Sequence, residues 1–293
     1  MSELTRAGEW SHRIASAFEE ACRDELDAPK PGNVHVFADG HRMTVSDFER
    51  SAAAATGPLT AAGLRIGARI LGAIEVSFAA VNSNTNLGII LLCAPLAAAA
   101  ETLPYDLQSS LAKALHGLDR KDAEFAFRAI VRASPGGLGR AEHHDVFTPA
   151  TVTLREAMAE AAGRDRIALQ YVTDFADVFD LGEPVLTAAL AASADRRLAT
   201  LATYLGFLAA FPDSHIVRKH GLSVAEQIRR EAAKLGAQAR TANRLDDILP
   251  DVLVWDATLK KANINPGTSA DLTVATLFAH RLRNILPSAR NSD

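Results

Sequence analysis

Four short stretches of this sequence combine residue types that could hold a phosphorylated ligand. The first is Lys30-Pro31-Gly32-Asn33, followed by His35 and His41. The prolines stiffen the loop, Gly32 permits close backbone approach, and Lys30 supplies a point charge suited to phosphate. The bland alternative is a helix connector with an exposed lysine. The second is Glu75 with Asn82-Ser83-Asn84-Thr85-Asn86. Glu75 sits between Ile74 and Val76 in an apolar helix, and carboxylates are rarely buried without a partner or a metal. Asn84 or Thr85 can cap the following helix, whose first amides attract anions. Capping alone, with an exposed Glu75, is the competing reading.

The third stretch is Pro212-Asp213-Ser214-His215-Ile216-Val217-Arg218-Lys219-His220. Asp213 falls at a helix start. His215 and Lys219 are four apart and share one face, with Arg218 at its edge, so that face could hold a polyphosphate. Cations there could equally just offset a helix dipole. The fourth is Asn265-Pro266-Gly267-Thr268-Ser269-Ala270-Asp271. Thr268 and Asp271 fit a capping box with Asp in place of Glu. Asp271 would repel a bare phosphate, and a magnesium ion between them would reverse the sign. A fifth feature, His143-His144-Asp145, carries a His-Asp pair of the kind found in HD-type metal phosphohydrolases, but a two-residue match is weak. No Walker loop, GxGxxG after a strand, HExxH or GxSxG occurs, which argues against P-loop ATPases, Rossmann dehydrogenases, zincins and α/β-hydrolases.

The elements that must position these loops read as helices almost throughout. Trp10, Ile14, Phe18 and Cys22 form an apolar stripe on a first helix from about Thr5 to Leu26. A second begins near Thr44 or Ser46, with Ser46 and Glu49 as a capping box, and ends before Thr56-Gly57-Pro58. A third runs from about Leu64 to Val81. Leu87 to Ala100 is the most apolar run, shorter than a membrane span and interrupted by Pro95, and reads as a buried helix. Further helices are expected over Asp106–Leu118, Arg120–Ala133, Leu154–Ala162, Arg166–Phe179, Val185–Ala192, Arg196–Ala210 and His215–His220. Three more follow: one capped by Ser223 and running to Arg240, Asp246–Lys261, and Thr268–Ile285. The loop Ser134-Pro135-Gly136-Gly137-Leu138-Gly139 reads as flexible. Nothing marks a domain boundary, so the expectation is one all-α domain over residues 1–293, with polar loops lining a central pocket.

Composition agrees. The chain has 293 residues, 56 of them alanine, and only 6 % aromatics, which favours helix over strand. The net charge of −4 argues against a general affinity for nucleic acid or anionic lipid, so an anionic substrate needs a local basic cluster. Cys22 and Cys93 are too few for a disulfide framework and read as reduced core thiols. The start, Met1-Ser-Glu-Leu-Thr-Arg, lacks the apolar core of a signal peptide, and a cytoplasmic protein is expected. No membrane or nucleic-acid partner is expected, and the sequence leaves a homo-oligomer open.

Taken together, the four stretches resemble the triphosphoribosyl-dephospho-coenzyme A synthase family. The resemblance rests on Pro29-Lys30-Pro31-Gly32 with a His-containing turn, Asn84-Thr85 before a Gly88-containing helix, Pro212-Asp213-Ser214-His215, and Pro266-Gly267-Thr268-Ser269-Ala270-Asp271-Leu272. These occur in order from about residue 29 to 278. Glu75 falls where the family carries a glutamate. The resemblance implies an all-helical enzyme that uses ATP and magnesium and acts on nucleotide and coenzyme-like small molecules. It would move the triphosphoribosyl group of ATP onto dephospho-coenzyme A and release adenine.

That reaction implies roles. Glu75, His215 or His41 would serve as catalytic base. Lys30, Gly32, Asn33, Asn84, Thr85, Arg218, Lys219, Thr268 and Ser269 would bind ATP and its phosphates. Asp271, Asp213 or Glu75 would hold magnesium. The chain departs from the family at Asn86 and Leu87, where the pattern has His-Lys, and at Asn33-Val34-His35-Val36. A sister enzyme with another acceptor, in pterin- or furan-linked one-carbon metabolism, is the alternative.

Overall fold

A chain so rich in alanine, with apolar residues recurring at helical spacing, buries its surface by packing helix on helix. The computed structural model describes residues 3–41, 43–102, 106–136, 138–140 and 142–285. Among these it holds fourteen α-helices, one π-helical and one 3-10 turn, and no strand. The all-α class expected from composition is what the chain adopts. Only two isolated β-bridges occur, His35–Ala38 and Gly40–Met43, and they fold the segment after the first proline loop into two tight turns. Cys22 and Cys93 are both buried and free. Gly137 lies outside the described residues.

Packing separates the chain into two compact units, where the sequence carries no boundary signal. One comprises residues 1–21, 50–175 and 278–293, the other residues 22–49 and 176–277. The boundaries fall inside the helices α1 (Glu3–Asp27), α2 (Val45–Leu59) and α14 (Gly267–Ile285). No linker composition marks them because each helix keeps its periodicity across the boundary.

The first unit is built on α3 (Ile66–Val81), α4 (Leu87–Ala100), α5 (Leu107–His116), α6 (Arg120–Ala133), α7 (Leu154–Ala161) and α8 (Arg166–Val172). Helix α4 is buried along nearly its whole length, and Pro95 lies inside it rather than ending it. Tyr171 anchors α8 to it through a hydroxyl that donates to the Leu91 carbonyl at 2.7 Å. Helices α3 and α6 meet where Gly67 lies flat on Asp122: an added Cβ would come within 2.6 Å of the Asp122 backbone. The Gly67 amide donates to Asp122 Oδ1 at 2.8 Å, and Asp122 also completes a capping box with Asp119. Arg69 is buried, donating to the Leu64 and Leu59 carbonyls and pairing with Glu101 at 2.8 Å.

The second unit contains the π-helical turn Asp177–Gly182, α9 (Glu183–Ala192), α10 (Arg196–Ala210), α11 (Ser214–His220), α12 (Leu222–Thr241) and α13 (Leu249–Lys261). Its core is a cluster including Leu201, Tyr204, Leu208, Ile228, Val252 and Leu259.

Helix boundaries differ from the sequence reading at several points. The α2 cap is Thr44 with Asp47, not Ser46 with Glu49: Thr44 N donates to Asp47 Oδ2, and Asp47 N to Thr44 Oγ1. Helix α2 also continues through Gly57 and Pro58, since a proline in a last turn displaces few hydrogen bonds. The stretch Arg166–Phe179 breaks after Val172, because Asp174 and Phe175 take left-handed backbone angles that bury the Phe175 ring beside Tyr171. Helix α12 starts at Leu222 from Gly221, φ +85°, so Ser223 lies inside it rather than capping it.

Candidate active site

Three of the four motifs belong to the second unit and are bonded to one another there. The first proline loop is built from inside. Lys30 is fully buried, and its ammonium donates to the carbonyls of Glu25 at 2.6 Å and Val34 at 2.8 Å and pairs with the Glu25 carboxylate at 3.2 Å. An ammonium has three donors, so none is left for a phosphate. Burial pushes the Lys30 pKa down against the pull of Glu25, and pushes the Glu25 carboxyl up. The expected phosphate clamp at Lys30 is therefore corrected: the lysine holds the loop from within. Tyr204 adds a bond from its hydroxyl to the Pro31 carbonyl at 2.7 Å.

This leaves Gly32 with φ +83°, a left-handed angle that glycine adopts without strain. A side chain here would also strike the Ile264 carbonyl and the Pro266 ring, each 2.8 Å from an ideal Cβ. The Gly32 amide donates to Asp256 Oδ1 at 2.8 Å, and its carbonyl lies 2.7 Å from His41 Nε2. A carbonyl only accepts, so His41 carries its proton on Nε2, which removes that nitrogen as a base. Its Nδ1 faces the Asn263 side chain at 3.2 Å. The expected role of His41 as base gives way to one of bracing the loop.

Asn33 ties the first motif to the fourth. Its amide nitrogen donates to Asn265 Oδ1 at 2.9 Å, and its oxygen accepts from the Val34 amide at 2.8 Å. Asp213 ties the third motif to the fourth. Oδ1 caps α11, accepting from the His215 and Ile216 amides, and Oδ2 accepts from the amide and hydroxyl of Ser269, both at 2.8 Å. Four donors saturate this buried carboxylate, which corrects the expectation that Asp213 holds magnesium. The same bonds use the Ser269 hydroxyl and amide internally, so Ser269 too is a fastening rather than a phosphate donor. Thr268 is buried inside α14, one residue past its start, rather than capping it. Asp271, half-buried in the next turn, has a partner of its own.

His215 stands against Gly267, where an added Cβ would come within 2.7 Å of its Nδ1. That nitrogen is buried without a hydrogen-bond partner. Desolvation, reinforced by Lys219 and Arg218, pushes the His215 pKa down to about 3, so the ring is neutral near pH 7. Arg218 and Lys219 are both exposed, and burial followed by Arg218 lowers the Lys219 pKa. A neutral imidazole beside two accessible cations suits an anionic ligand.

The depressed pKa has a stability consequence. Between about pH 3 and the ordinary histidine value of 6.5, the unfolded chain binds a proton that folded His215 does not. Stability from this group is complete above that range and falls as pH falls through it. Urea midpoints at pH 7.5 and 5.0 should drop further for the wild type than for His215→Gln; an equal drop would show that the ring is not held neutral.

Sequence reasoning missed two groups that finish this site, Asp256 and Lys260, and named a third, His35, without giving it a role. Asp256 and Lys260, one turn apart on α13, pair at 3.0 Å, and Lys260 also donates to the Ala38 carbonyl at 2.9 Å. Buried His35 lies 3.3 Å from Asp256 and 3.4 Å from Lys260. Burial lowers the His35 pKa; it raises that of Asp256, but the bonds from His35, Gly32 and Lys260 outweigh this and leave the carboxyl below its ordinary value. The i, i+4 spacing of Asp256 and Lys260 was the available signal, but on a helix it reads as a solvated pair.

A family model described as ATP:dephospho-CoA triphosphoribosyl transferase matches residues 11–289. The chain belongs to that transferase family. A crystal structure from Archaeoglobus fulgidus, of a protein assigned as a triphosphoribosyl-dephospho-coA synthase, superposes with a TM-score of 0.62 at 24 % identity, over 78 % of this chain and 95 % of the other. At that identity the likeness shows a shared fold. No curated protein matched the chain.

The remaining family motif lies in the first unit. Glu75 is exposed, 54 % of its side chain reaching solvent, and stands 3.9 Å from Arg128. The expected burial in the apolar helix is thus not observed: α3 buries Ile70, Ile74 and Ser77 and turns Glu75 outward. The N-cap position of α4 is Asn86, whose side chain makes no capping bond; Asn84, two residues earlier, accepts from the Leu87 amide at 3.2 Å, while the Thr85 hydroxyl is turned inward to Ser51 at 2.6 Å. Asn86 and Leu87, which replace the family His-Lys, are both buried. The Asn86 side-chain oxygen accepts from the Ser77 hydroxyl at 3.2 Å. Asp145 accepts from the Phe147 amide at 2.8 Å in a local turn, and the described residues hold no group of three or more His, Cys, Asp or Glu placed for a metal. No helix of the described residues is long and apolar enough to cross a membrane.

Proposed function

We propose that the protein transfers the triphosphoribosyl group of ATP to a hydroxyl of dephospho-coenzyme A and releases adenine. The observation that carries this reading is the bonding of three family motifs to one another through Asn33–Asn265 and Asp213–Ser269, with neutral His215 and the cations Arg218 and Lys219 beside them. Family membership supplies the chemistry. The acceptor oxygen bonds to the ribose carbon that bears adenine, the carbon–nitrogen bond breaks, and the adenine nitrogen takes up a proton. The triphosphate stays intact, so it needs gripping rather than activation, and Arg218 and Lys219 are the accessible cations for that work.

Glu75 takes the proton of the acceptor hydroxyl. It is the exposed carboxylate among the candidate bases, whereas His41 has committed its Nε2 proton to Gly32. His215 stays uncharged beside the phosphate-binding cations, so it adds no charge of its own to the grip on the triphosphate. Magnesium commonly binds through one or two carboxylates together with substrate phosphates. Asp271 suits that role, since Asp213 has no free lone pair in the plane of its four donors. When bound, the ion would offset triphosphate charge.

The buried Asn86 and Leu87 favour a second reading, in which the same transfer serves a different acceptor. They remove a histidine and a cationic lysine that other family members present. Incubation with ATP, magnesium and dephospho-coenzyme A, followed by mass spectrometry, should show adenine and a product heavier by one triphosphoribosyl group. Adenine release only with another acceptor would move the protein to the second reading, and no adenine with any acceptor would end both.

A further inference from the structure

Helix α11 is seven residues long, and it carries Arg218, Lys219 and His220 in its last turn. So short a helix holds its shape poorly unless its ends are fastened from outside. Three fastenings go to one stretch of chain, residues 263–269. At the start of the helix, Asp213 accepts from the amide and hydroxyl of Ser269. In the first turn, His215 bonds to the backbone at Asn265. At the end, His220 Nε2 donates to the Asn263 carbonyl at 3.0 Å. All of these residues lie in the second unit.

The bond at the end is unlike an ordinary helix terminus. A histidine in a last turn can bond to the free carbonyls of its own helix and offset the dipole there. His220 instead reaches across 43 residues of chain. Its acceptor is itself held. Asn263 takes a left-handed φ of +56°, which asparagine tolerates better than most residues. The Asn263 amide donates to the Lys260 carbonyl at 3.0 Å, and its side chain faces His41 Nδ1 at 3.2 Å. His41 in turn holds the Gly32 carbonyl. A run of bonds thus leads from Gly32 through His41 and Asn263 to the end of α11.

We propose that His220 is a positioning residue: its bond to Asn263 fixes the last turn of α11, and with it the point from which Lys219 meets a triphosphate, a role for Lys219 that rests on the proposed function. Lys219 adjoins His220 in the chain and is exposed. An ammonium is a point charge on a flexible four-carbon stem, so its reach is only as well defined as the backbone beneath it. Arg218 also repels Lys219, and a bond at the end of the turn holds the two cations in place against that repulsion.

Equilibrium dialysis with ATP and with inorganic triphosphate tests this on the wild type, His220→Phe, His220→Gln, Lys219→Ala and the double variant Lys219→Ala with His220→Phe. Phenylalanine keeps a ring and removes the donor, whereas glutamine keeps a donor. His220→Phe should weaken both ligands about 3- to 10-fold, the worth of one hydrogen bond, and His220→Ala should match it. His220→Gln should stay within about 2-fold of the wild type. In chains lacking Lys219, His220→Phe should weaken binding by less than about 2-fold, because the residue through which it acts is gone. Urea midpoints separate a purely structural role, which would lower the midpoint and leave affinity unchanged. Unchanged affinity in His220→Phe and His220→Ala overturns the proposal. So does a loss in His220→Gln equal to that in His220→Phe, the same loss with and without Lys219, or no ATP binding by the wild type. Adenine release is scored separately. Affinity that depends on His220 through Lys219, without adenine release, leaves the positioning role standing and ends the proposed function. Adenine release with affinity indifferent to His220 does the reverse.

Discussion

Glu75→Gln should lower kcat by about 10²–10⁴-fold while the protein folds and binds both substrates as before. The range is the ordinary contribution of a positioned general base. The change is nearly isosteric at an exposed position whose nearest ionic partner, Arg128, is itself exposed, so little stability is at stake. Single-turnover rates of adenine release, with KM for ATP measured alongside, separate the possibilities. A loss confined to kcat supports proton transfer at Glu75. A rise in KM for the acceptor with unchanged kcat would reduce Glu75 to a binding contact, and no change in either would remove it from the mechanism.

Lys30→Met should destabilise the second unit by about 3–5 kcal/mol, the usual cost of leaving one member of a buried ion pair alone. The change strands the Glu25 carboxylate and removes the donor to two carbonyls, in a place with no solvent access. The double variant Glu25→Leu with Lys30→Met should recover part of the loss, because it removes the uncompensated charge. Recovery stays incomplete, since the Glu25 and Val34 carbonyls still lack a donor, at roughly 1–3 kcal/mol each. Urea unfolding measures both. The outcome also discriminates between the two readings of this lysine. A phosphate clamp would show a higher KM for ATP and normal stability; an interior brace shows the reverse.

The fold class and the motif loops were legible in the residues. Helix α6 and helix α10 have the bounds that their periodicity indicates, and in the structure Asp119 and Asp195 cap them by accepting amides of the first turn. The site was legible only as a set of positions. Asn33, Asp213, His215 and Ser269 could be named as polar groups in loops, but whether each faces a ligand or a neighbouring loop depends on contacts made across 56 to 232 residues of chain. Asp213 and Lys30 show how this misleads: a carboxylate and an ammonium look reactive in a one-dimensional sequence and are saturated in the folded chain.

The residues alone decide that this protein is helical, where its turns fall, and which family's motifs it carries, because these depend on spacing and on local backbone preference. Folding decides that Lys30, Asp213 and Ser269 fasten loops together, that Asp256 and Lys260 join them, and that Glu75 and Lys219 stay open to solvent. Burial and donor counts settle which polar groups remain available for chemistry, and both arise only when distant segments are brought into contact.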